Sequence, residues 1–496
     1  MASEAVIALD QGSGSSRALA FDSRGRAIAR AQFPLRTFYP KPGWVEHDAE
    51  EIVRTQERAL DAVLASLPRS TRVLGVGMAS QRSTVILWDG KTGKPLCRAL
   101  SWQDGRAAGL LQSLAIDPAS IPEKTGLYLT PYYSAPKILW LADQIPKVRA
   151  ARDKGRLRIA PVGSYCLWRL TRGGVWTVDP SLAQRTLLLN IRTMDWDQDL
   201  LARFGASRDF LPPLAASTGS FGFITRSGRK MPVLALLGDQ QSAALGLGGE
   251  EPGAGILNYG TGAFFLLNTG TQQHRVPGLL TSVAWKRGGR PCQYLEEGTV
   301  HAAGASFEWL RQNFGLLDRL DRLDSMCRRS KNRILALQAI GGLGAPRWDY
   351  STFTSYMGFN SASRPEDLVR GIAEGIAFLL ADVVSAARSA GLEIRSVQAS
   401  GGLSKADYLL QFQADLIQRD VLRVAESEAT ALGVASLAAQ EAGAPWARSL
   451  RGRGGGRRFK PSMPPERAER LMSGWRLFVE AQQKVSAALR KLDVLP

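Results

Sequence analysis

Histidine and cysteine are scarce in this chain. Only His47, His274 and His301 occur among 496 residues, which disfavours any histidine-rich metal site. The four cysteines, Cys97, Cys166, Cys292 and Cys327, lie far apart and form no C-x-x-C pair. Buried reduced thiols are therefore expected rather than a disulfide framework or a zinc site. No stretch approaches the roughly 18 consecutive apolar residues of a transmembrane helix. The N-terminus, MASEAVIALDQG, lacks the basic stretch and long apolar run of a signal peptide. A cytoplasmic protein starting near Met1, without membrane insertion, is the expectation.

Acidic residues are the minority charge: 45 against 63 Lys and Arg, a net +18. Such an excess can mark a nucleic-acid partner, but the arginines are dispersed and follow no groove-reading motif. Attraction of anionic small molecules such as nucleotides explains it equally, and no nucleic-acid partner is expected. The one dense basic run, Arg448–Arg458, resembles a single short RGG segment and reads as a solvated, mobile surface loop. With 45% apolar and 22% charged residues, collagen, disorder and coiled coil are excluded. The length fits two or three domains.

The apolar run Val6–Leu9 stops at Asp10, and the turn formers Gln11-Gly-Ser-Gly-Ser-Ser16 follow. Arg17–Phe21 resumes the run until Asp22-Ser-Arg-Gly25. This predicts a strand, a glycine turn and a returning strand, with Ala27–Phe33 as a third strand. The design recurs at Gly255–Asn258, Tyr259-Gly-Thr-Gly262 and Ala263–Leu267, so two related halves are expected. Helices are predicted at Asp48–Leu67 behind an aspartate cap, Leu368–Ala390, Ser404–Gln418 and Pro464–Leu492. The last carries an apolar stripe of Leu471, Trp475, Phe478 and Val485. Strands are predicted at Val73–Met78, Ser83–Trp88 and Ser396–Ser400. The fold class is α/β with mixed sheets. The domains are expected at 1–250, 251–440 and 441–496, the last a basic loop and terminal helix packing on the second domain.

A glycine-rich hairpin turn exposes backbone N–H groups. Ser13, Ser15 and Ser16 add hydroxyls, and Gly12 and Gly14 permit close approach of an anion. Asp10 beside such a cradle makes chemical sense with a cation between them, normally Mg²⁺, and Arg17 can neutralise phosphate charge. An ordinary hairpin turn is the alternative. Thr261 in the second hairpin doubles the signal. Gly401-Gly402 offers a helix N-terminus to a nucleotide, or simply a tight turn. In Leu237-Gly-Asp-Gln-Gln241, Asp239 stands at a strand end, as a base for a substrate hydroxyl or as a helix N-cap. Gln81-Arg82, Ser101-Trp-Gln-Asp104 and Pro131-Tyr-Tyr133 together describe a pocket for a small polyhydroxylated ligand.

In this order the segments resemble the FGGY family of carbohydrate kinases. The residues that carry the likeness are Ala8-Leu-Asp-Gln-Gly12, Ser15-Ser-Arg17, Tyr39-Pro-Lys-Pro-Gly-Trp-Val-Glu-His47, Gln81-Arg82, Trp102-Gln-Asp104, Pro131-Tyr132, Gly238-Asp-Gln-Gln241, Tyr259-Gly-Thr-Gly262, Ala303-Gly-Ala-Ser306, Leu343-Gly-Ala-Pro346 and Ala429-Thr-Ala-Leu-Gly433. The Tyr39–His47 run points to the branch that phosphorylates glycerol. The resemblance implies a two-lobed, actin-like (ribonuclease H-like) ATPase fold with a central cleft. It implies ATP and Mg²⁺ as cofactors and transfer of phosphate to a terminal hydroxyl of a small polyol, glycerol first. A four- or five-carbon polyol or keto sugar is the alternative; a chaperone- or actin-like ATPase is more remote. A homodimer or homotetramer is compatible with it.

By the same resemblance Asp10 serves Mg²⁺ through the phosphates. Ser13, Gly14, Ser15, Arg17, Thr261, Gly304, Glu308, Gly402 and Ala406 line the ATP site. Arg82, Ser83, Trp102, Tyr132, Asp239, Gln240 and Phe264 line the substrate site, and Asp239 is the base. Three positions depart from the family pattern. Ser83 stands where a glutamate follows the substrate arginine, Glu308 where a glutamine is usual, and Ala406 where an asparagine is usual.

Overall fold

The structure is a computed structural model that describes residues 3–114, 116–424, 428–450 and 456–495. It divides into two compact units, over the described residues of Met1–Gly246, Ser282–Tyr294 and Glu428–Arg453 for the first, and of Leu247–Thr281, Leu295–Ser427 and Gly454–Pro496 for the second. The units are thus discontinuous, and divisions at residues 250 and 440 do not coincide with them.

Of the two segments that return to the first unit, Ser282–Tyr294 and Glu428–Arg453, the second carries a helix. Ala429–Glu441 packs on the strands Glu4–Gln11, Arg72–Ser80 and Arg229–Gly238 and on the helix Asp239–Gly246. Its approach is close enough that a Cβ on Gly433 would lie 1.8 Å from the Ser242 carbonyl oxygen, and one on Gly246 2.0 Å from that of Ala429. Ser242 Oγ donates to the Thr430 carbonyl at 2.6 Å. The Ala429–Gly433 motif is therefore a packing face that seats the helix headed by Asp239. Gly433→Ala is expected to cost about 1–3 kcal/mol, the usual size of an overpacked core contact, as measured by urea unfolding.

The main sheet of the first unit runs in the order Phe223–Arg226, Arg229–Gly238, Arg72–Ser80, Glu4–Gln11, Ser15–Asp22, Ala27–Pro34. The three central strands are parallel, with hairpins at both edges. Parallel strands covered on both faces need continuous apolar runs, and Ala5–Gln11 is buried throughout. The edge strand Ala27–Pro34 has no buried residue. The helix Ala49–Ser66 packs on Ser15–Asp22 and Ala27–Pro34. The carboxylate of Asp48 caps it by accepting from the N–H groups of Glu50 and Glu51.

In the second unit the strands Ala263–Gly270, Ala254–Tyr259, Ser396–Ser400, Val421–Val424 and Gly456–Phe459 are neighbours in that order. The first pair is the second glycine hairpin. The long helix Pro365–Ser389 packs on Asp407–Ile417, where Phe378 stacks on Trp475 at 4.9 Å and meets Phe412 edge-on at 5.4 Å.

Several predicted elements change. Ser404–Gln418 is not one helix: Gly402–Lys405 is a 3₁₀ turn and the helix is Asp407–Ile417. In the terminal helix Pro465–Lys491, Trp475 and Phe478 are buried but Val485 is 48% exposed. Three turns after Trp475 fall nearest position 486, and Ser486 takes the buried place, accepting the Phe353 N–H at 3.1 Å. Arg451–Gly455 of the basic run lie outside the described residues. The ends of that run are not loop: Leu450 is fully buried, and Gly456–Phe459 is an edge strand with Arg458 paired to Asp420 at 3.0 Å. The cysteines are free, and burial pushes the Cys97, Cys166, Cys292 and Cys327 thiols up to about 12. No helix among the described residues is long and apolar enough to cross a membrane.

Candidate active site

Strand register groups the candidates of the first unit. Gln11 pairs with Ser80, and Ser80 pairs with Gly238. The three parallel strands therefore end level, and the residues at or just beyond their carboxyl ends are Asp10, Gln81-Arg82 and Asp239. This is the edge of an open α/β sheet at which ligands bind.

Asp10 lies directly across the hairpin from Arg17, and the guanidinium donates to its carboxylate. Arg17 also reaches Glu428 at 3.2 Å. Asp10 is nonetheless only 2% exposed. Burial outweighs the arginine and pushes Asp10 up to about 6, with Asp239 and Glu428 adding to the rise. A buried carboxylate with other carboxylates in electrostatic reach suits a cation. Among the described residues no cluster of three metal-ligating side chains exists. Mg²⁺ is commonly held by one or two carboxylates together with substrate phosphates.

Asp239 opens the helix Asp239–Gly246 and accepts the N–H of Gln240 at 2.8 Å. Arg82 Nε stands 3.6 Å from its carboxylate, the side chains being 10% and 33% exposed. Gly238 is needed here, because a Cβ would lie 3.1 Å from Arg82 Cδ and 2.7 Å from Gln241 Oε1. Among the described residues Gln240 Oε1 is buried without a hydrogen-bond partner, an acceptor suited to a substrate hydroxyl.

Ser83 follows, buried and with φ +64°. Its carbonyl accepts from Ser134 Oγ at 3.2 Å. A left-handed serine next to Arg82 is the kind of strain that functional sites hold.

Trp102 and Tyr132 are both 43% exposed, which suits aromatic walls. Trp102 is held in a closed ring of hydrogen bonds. Its N–H donates to Thr84 Oγ1 at 2.9 Å, Thr84 donates to Gln81 Oε1 at 2.8 Å, and Ser13 donates to the same oxygen at 3.2 Å. The indole N–H then donates to Ser13 Oγ at 2.8 Å. The hydroxyl of Ser13 is thus engaged with the wall, which leaves its backbone amide for an anion. Ser15 Oγ accepts from Gln32 at 2.9 Å. Gly14 is exposed, and nothing lies within 4 Å of the place a Cβ would take.

The Tyr39–His47 run proves to be a brace for this half. Arg106 chelates Asp104 and reaches Glu46 at 2.8 Å, and its guanidinium stacks 3.8 Å from the Trp44 ring. Asp104 accepts the Val45 N–H at 2.6 Å. Arg106 was not a sequence-level candidate, though its proximity to Asp104 was the available signal. Lys137 was missed altogether. It is fully buried and donates to the carbonyls of Ser101 and Tyr132, each at 2.6 Å.

The second unit carries the other candidates. The exposed Thr261 sits in the hairpin turn, where its carbonyl accepts the N–H groups of Ala303 at 2.9 Å and Ala305 at 3.0 Å. Gly304 donates to the Gly260 carbonyl at 3.0 Å, so its N–H is engaged. A Cβ there would meet that carbonyl oxygen at 2.6 Å. Gly401 has φ +95°, and a Cβ would meet the Tyr259 oxygen at 2.3 Å; Gly402 next to it faces open space. Glu308 lies on an exposed helix face, where Arg311 and Gln312 engage it. The Arg311 hydrogen bond holds it below the usual carboxylate range. Ala406 is 6% exposed and packs in the core. Phe264 is half-buried on the returning strand Ala263–Gly270.

The chain is similar to known proteins along nearly its whole length. Residues 5–246 match the N-terminal domain of the FGGY family of carbohydrate kinases, and residues 255–442 match its C-terminal domain. A glycerol kinase of Alkalilimnicola ehrlichii is 39% identical over 482 residues, covering 95% of this chain and 97% of that protein. A glycerol kinase of Thermus brockianus is 39% identical over 492 residues, covering 96% and 98%. The crystal structure of Plasmodium falciparum glycerol kinase with ADP superposes with a TM-score of 0.90 at 29% identity, covering 97% of this chain and 98% of that one. A gluconate kinase of Lactobacillus acidophilus, at 21% identity and a TM-score of 0.86, shares the fold. This actin-like ATPase fold serves a phosphotransferase with an alcohol acceptor, and the chain belongs to the FGGY family of carbohydrate kinases.

Proposed function

We propose that this carbohydrate kinase transfers the γ-phosphoryl group of ATP to a terminal hydroxyl of glycerol, forming glycerol 3-phosphate and ADP. The observation that carries the reading is the level ending of three parallel strands. That register sets Asp10, Arg82 and Asp239 on one sheet edge, with Arg82 Nε 3.6 Å from the Asp239 carboxylate. The full-length relatives named glycerol kinase support the acceptor.

The chemistry follows from the groups. Arg82 and Gln240 bind hydroxyls of the polyol, and Trp102 and Tyr132 shield its carbon chain. Asp239 takes the proton of the terminal hydroxyl as that oxygen bonds to the γ-phosphorus. The bond between γ-phosphorus and the β,γ-bridging oxygen breaks, and ADP leaves with the electron pair. Arg17 and the backbone amides of Ser13, Gly14 and Ser15 hold phosphate oxygens. In the second unit Thr261 meets the γ-phosphate, and Gly304 and Gly402 let the nucleotide approach closely. Asp10 would hold Mg²⁺ through the phosphates, and the ion would neutralise charge on them. ADP release measured across glycerol, four- and five-carbon polyols and ketoses tests the reading. Turnover on none of them, with ATP and Mg²⁺ present, would remove it.

Ser83 favours a second reading, in which the preferred acceptor is longer. Serine supplies no charged acceptor for a terminal hydroxyl and frees volume next to Arg82. A hydrogen bond to a charged group is worth about 1.5–3 kcal/mol, and each 1.4 kcal/mol is tenfold. Ser83→Glu is therefore expected to shift the kcat/KM ratio toward glycerol, against four- and five-carbon polyols, by roughly 10–150-fold. Glutamate meets the same penalty at φ +64° as serine does, so the substitution tests the side chain alone. If the wild type already prefers glycerol with a micromolar KM and Ser83→Glu harms it, the second reading falls.

A further inference from the structure

Among the described residues Lys137 is the one fully buried lysine among the largest enclosed side chains, and the phosphoryl transfer described above does not use it. An ammonium in the interior is costly unless it is well solvated by protein dipoles. A leucine or methionine would fill this place on the helix Ser134–Gln144 more cheaply. What Lys137 reaches is specific. One nitrogen donates to the carbonyl of Ser101 at 2.6 Å and to that of Tyr132 at 2.6 Å. Ser101 immediately precedes Trp102, and Tyr132 carries its own ring. Both aromatic side chains are 43% exposed, while the backbone behind each is pinned from within.

We infer that Lys137 is a positioning residue that fixes the spacing of the two aromatic walls of the acceptor pocket and so sets the length of polyol accepted. The inference rests on the reading of Trp102 and Tyr132 as walls. Each wall has a further tether besides Lys137. The hydrogen-bonded ring through Thr84, Gln81 and Ser13 holds Trp102 to the phosphate hairpin. Ser134 Oγ, just beyond Tyr132, holds the carbonyl of Ser83 at 3.2 Å. Both tethers end on the adjacent residues Ser83 and Thr84, and Lys137 adds the direct link from one loop's backbone to the other's. Burial draws the amine down to about 7, Asp104 raising it and Arg106 lowering it. A neutral amine keeps two N–H donors, so both carbonyls remain held in either protonation state.

The test is steady-state kinetics on the full chain. Lys137→Met keeps most of the volume and removes the donors. The KM for glycerol should rise roughly tenfold or more, the loss of about one well-made hydrogen bond, and the ranking of three-, four- and five-carbon polyols should flatten. The KM for ATP should stay within about twofold. KM does not depend on the active fraction, so partial misfolding does not mimic this result. Lys137→Gln, which keeps N–H donors on a shorter stem, should fall between wild type and methionine. In the Trp102→Ala background Lys137→Met should add much less than it does alone. An unchanged polyol KM and ranking, with only a lower Tm, would overturn the inference, as would a glutamine variant no closer to wild type than methionine. If Trp102→Ala and Tyr132→Ala leave the polyol KM unchanged, the wall reading falls and takes the inference with it. If they raise it and Lys137→Met does not, the inference alone falls.

Discussion

Asp239→Asn is expected to lower kcat by about 10²–10⁴-fold, the usual contribution of a positioned general base, while leaving the KM for ATP nearly unchanged. Asparagine keeps the side chain's size and can still accept the Gln240 N–H, so the start of the helix Asp239–Gly246 is preserved. It cannot take a proton from the substrate hydroxyl at neutral pH. The Arg82 contact at 3.6 Å loses its ionic attraction. At 10% and 33% exposure a partly open pair of this kind contributes only about 0–1 kcal/mol to stability. A large loss of kcat with little change in Tm therefore separates a base from a helix-starting residue. Unaltered kcat with a clearly lower Tm would make Asp239 a structural residue and leave the enzyme without an assigned base.

The polar members of this site were legible in the sequence because each sits where an apolar run breaks off. Asp10 after Val6–Leu9 and Asp239 after Val233–Leu237 end strands that must be apolar to be covered on both faces, so a carboxylate there stands out. The glycine hairpins were legible for the same reason. What brings Asp10, Arg82 and Asp239 together is strand register between segments far apart in the chain, and no local pattern encodes it. The resemblance to a family supplied that grouping. Lys137 was invisible because a lysine in an amphipathic helix ordinarily reaches for solvent; only the carbonyls of Ser101 and Tyr132 show that it turns inward. The return of Ala429–Glu441 to the first unit was equally hidden. Its alanine-rich sequence specifies a helix, but the glycine contacts at Gly246 and Gly433 specify the surface it joins. Val485 continues the apolar stripe in composition only, because the helical period brings Ser486 rather than Val485 back to the buried face.

Asp10→Asn should lower kcat/KM with Mg²⁺ and ATP by several kcal/mol in transition-state terms, on the order of 10²–10⁴-fold, without unfolding the protein. The stability side has a definite sign. The carboxyl group of Asp10 sits at about 6 in the folded protein, against 3.8 for the free side chain, chiefly because burial disfavours its charge. Between those values the folded state holds a proton that the unfolded chain has released. The group's contribution to stability is therefore fully present below about 4 and is lost as pH rises to about 6, above which it is constant. An asparagine at this position has no such titration. The stability of Asp10→Asn relative to wild type should improve between pH 4 and 6, by about 3 kcal/mol at most for a shift of this size, and then stay level. Activity runs the other way. Protonating Asp10 removes the charge that would hold Mg²⁺, so the wild-type kcat/KM should fall as pH drops through about 6. The added thermal stability conferred by Mg²⁺ in the presence of ADP should vanish in Asp10→Asn, and this readout is independent of turnover. An acid limb that survives unaltered in the variant would belong to another group, Asp239 being the neighbouring carboxylate that already perturbs Asp10. Together with an undiminished Mg²⁺ effect on Tm, it would take Asp10 out of the cation site.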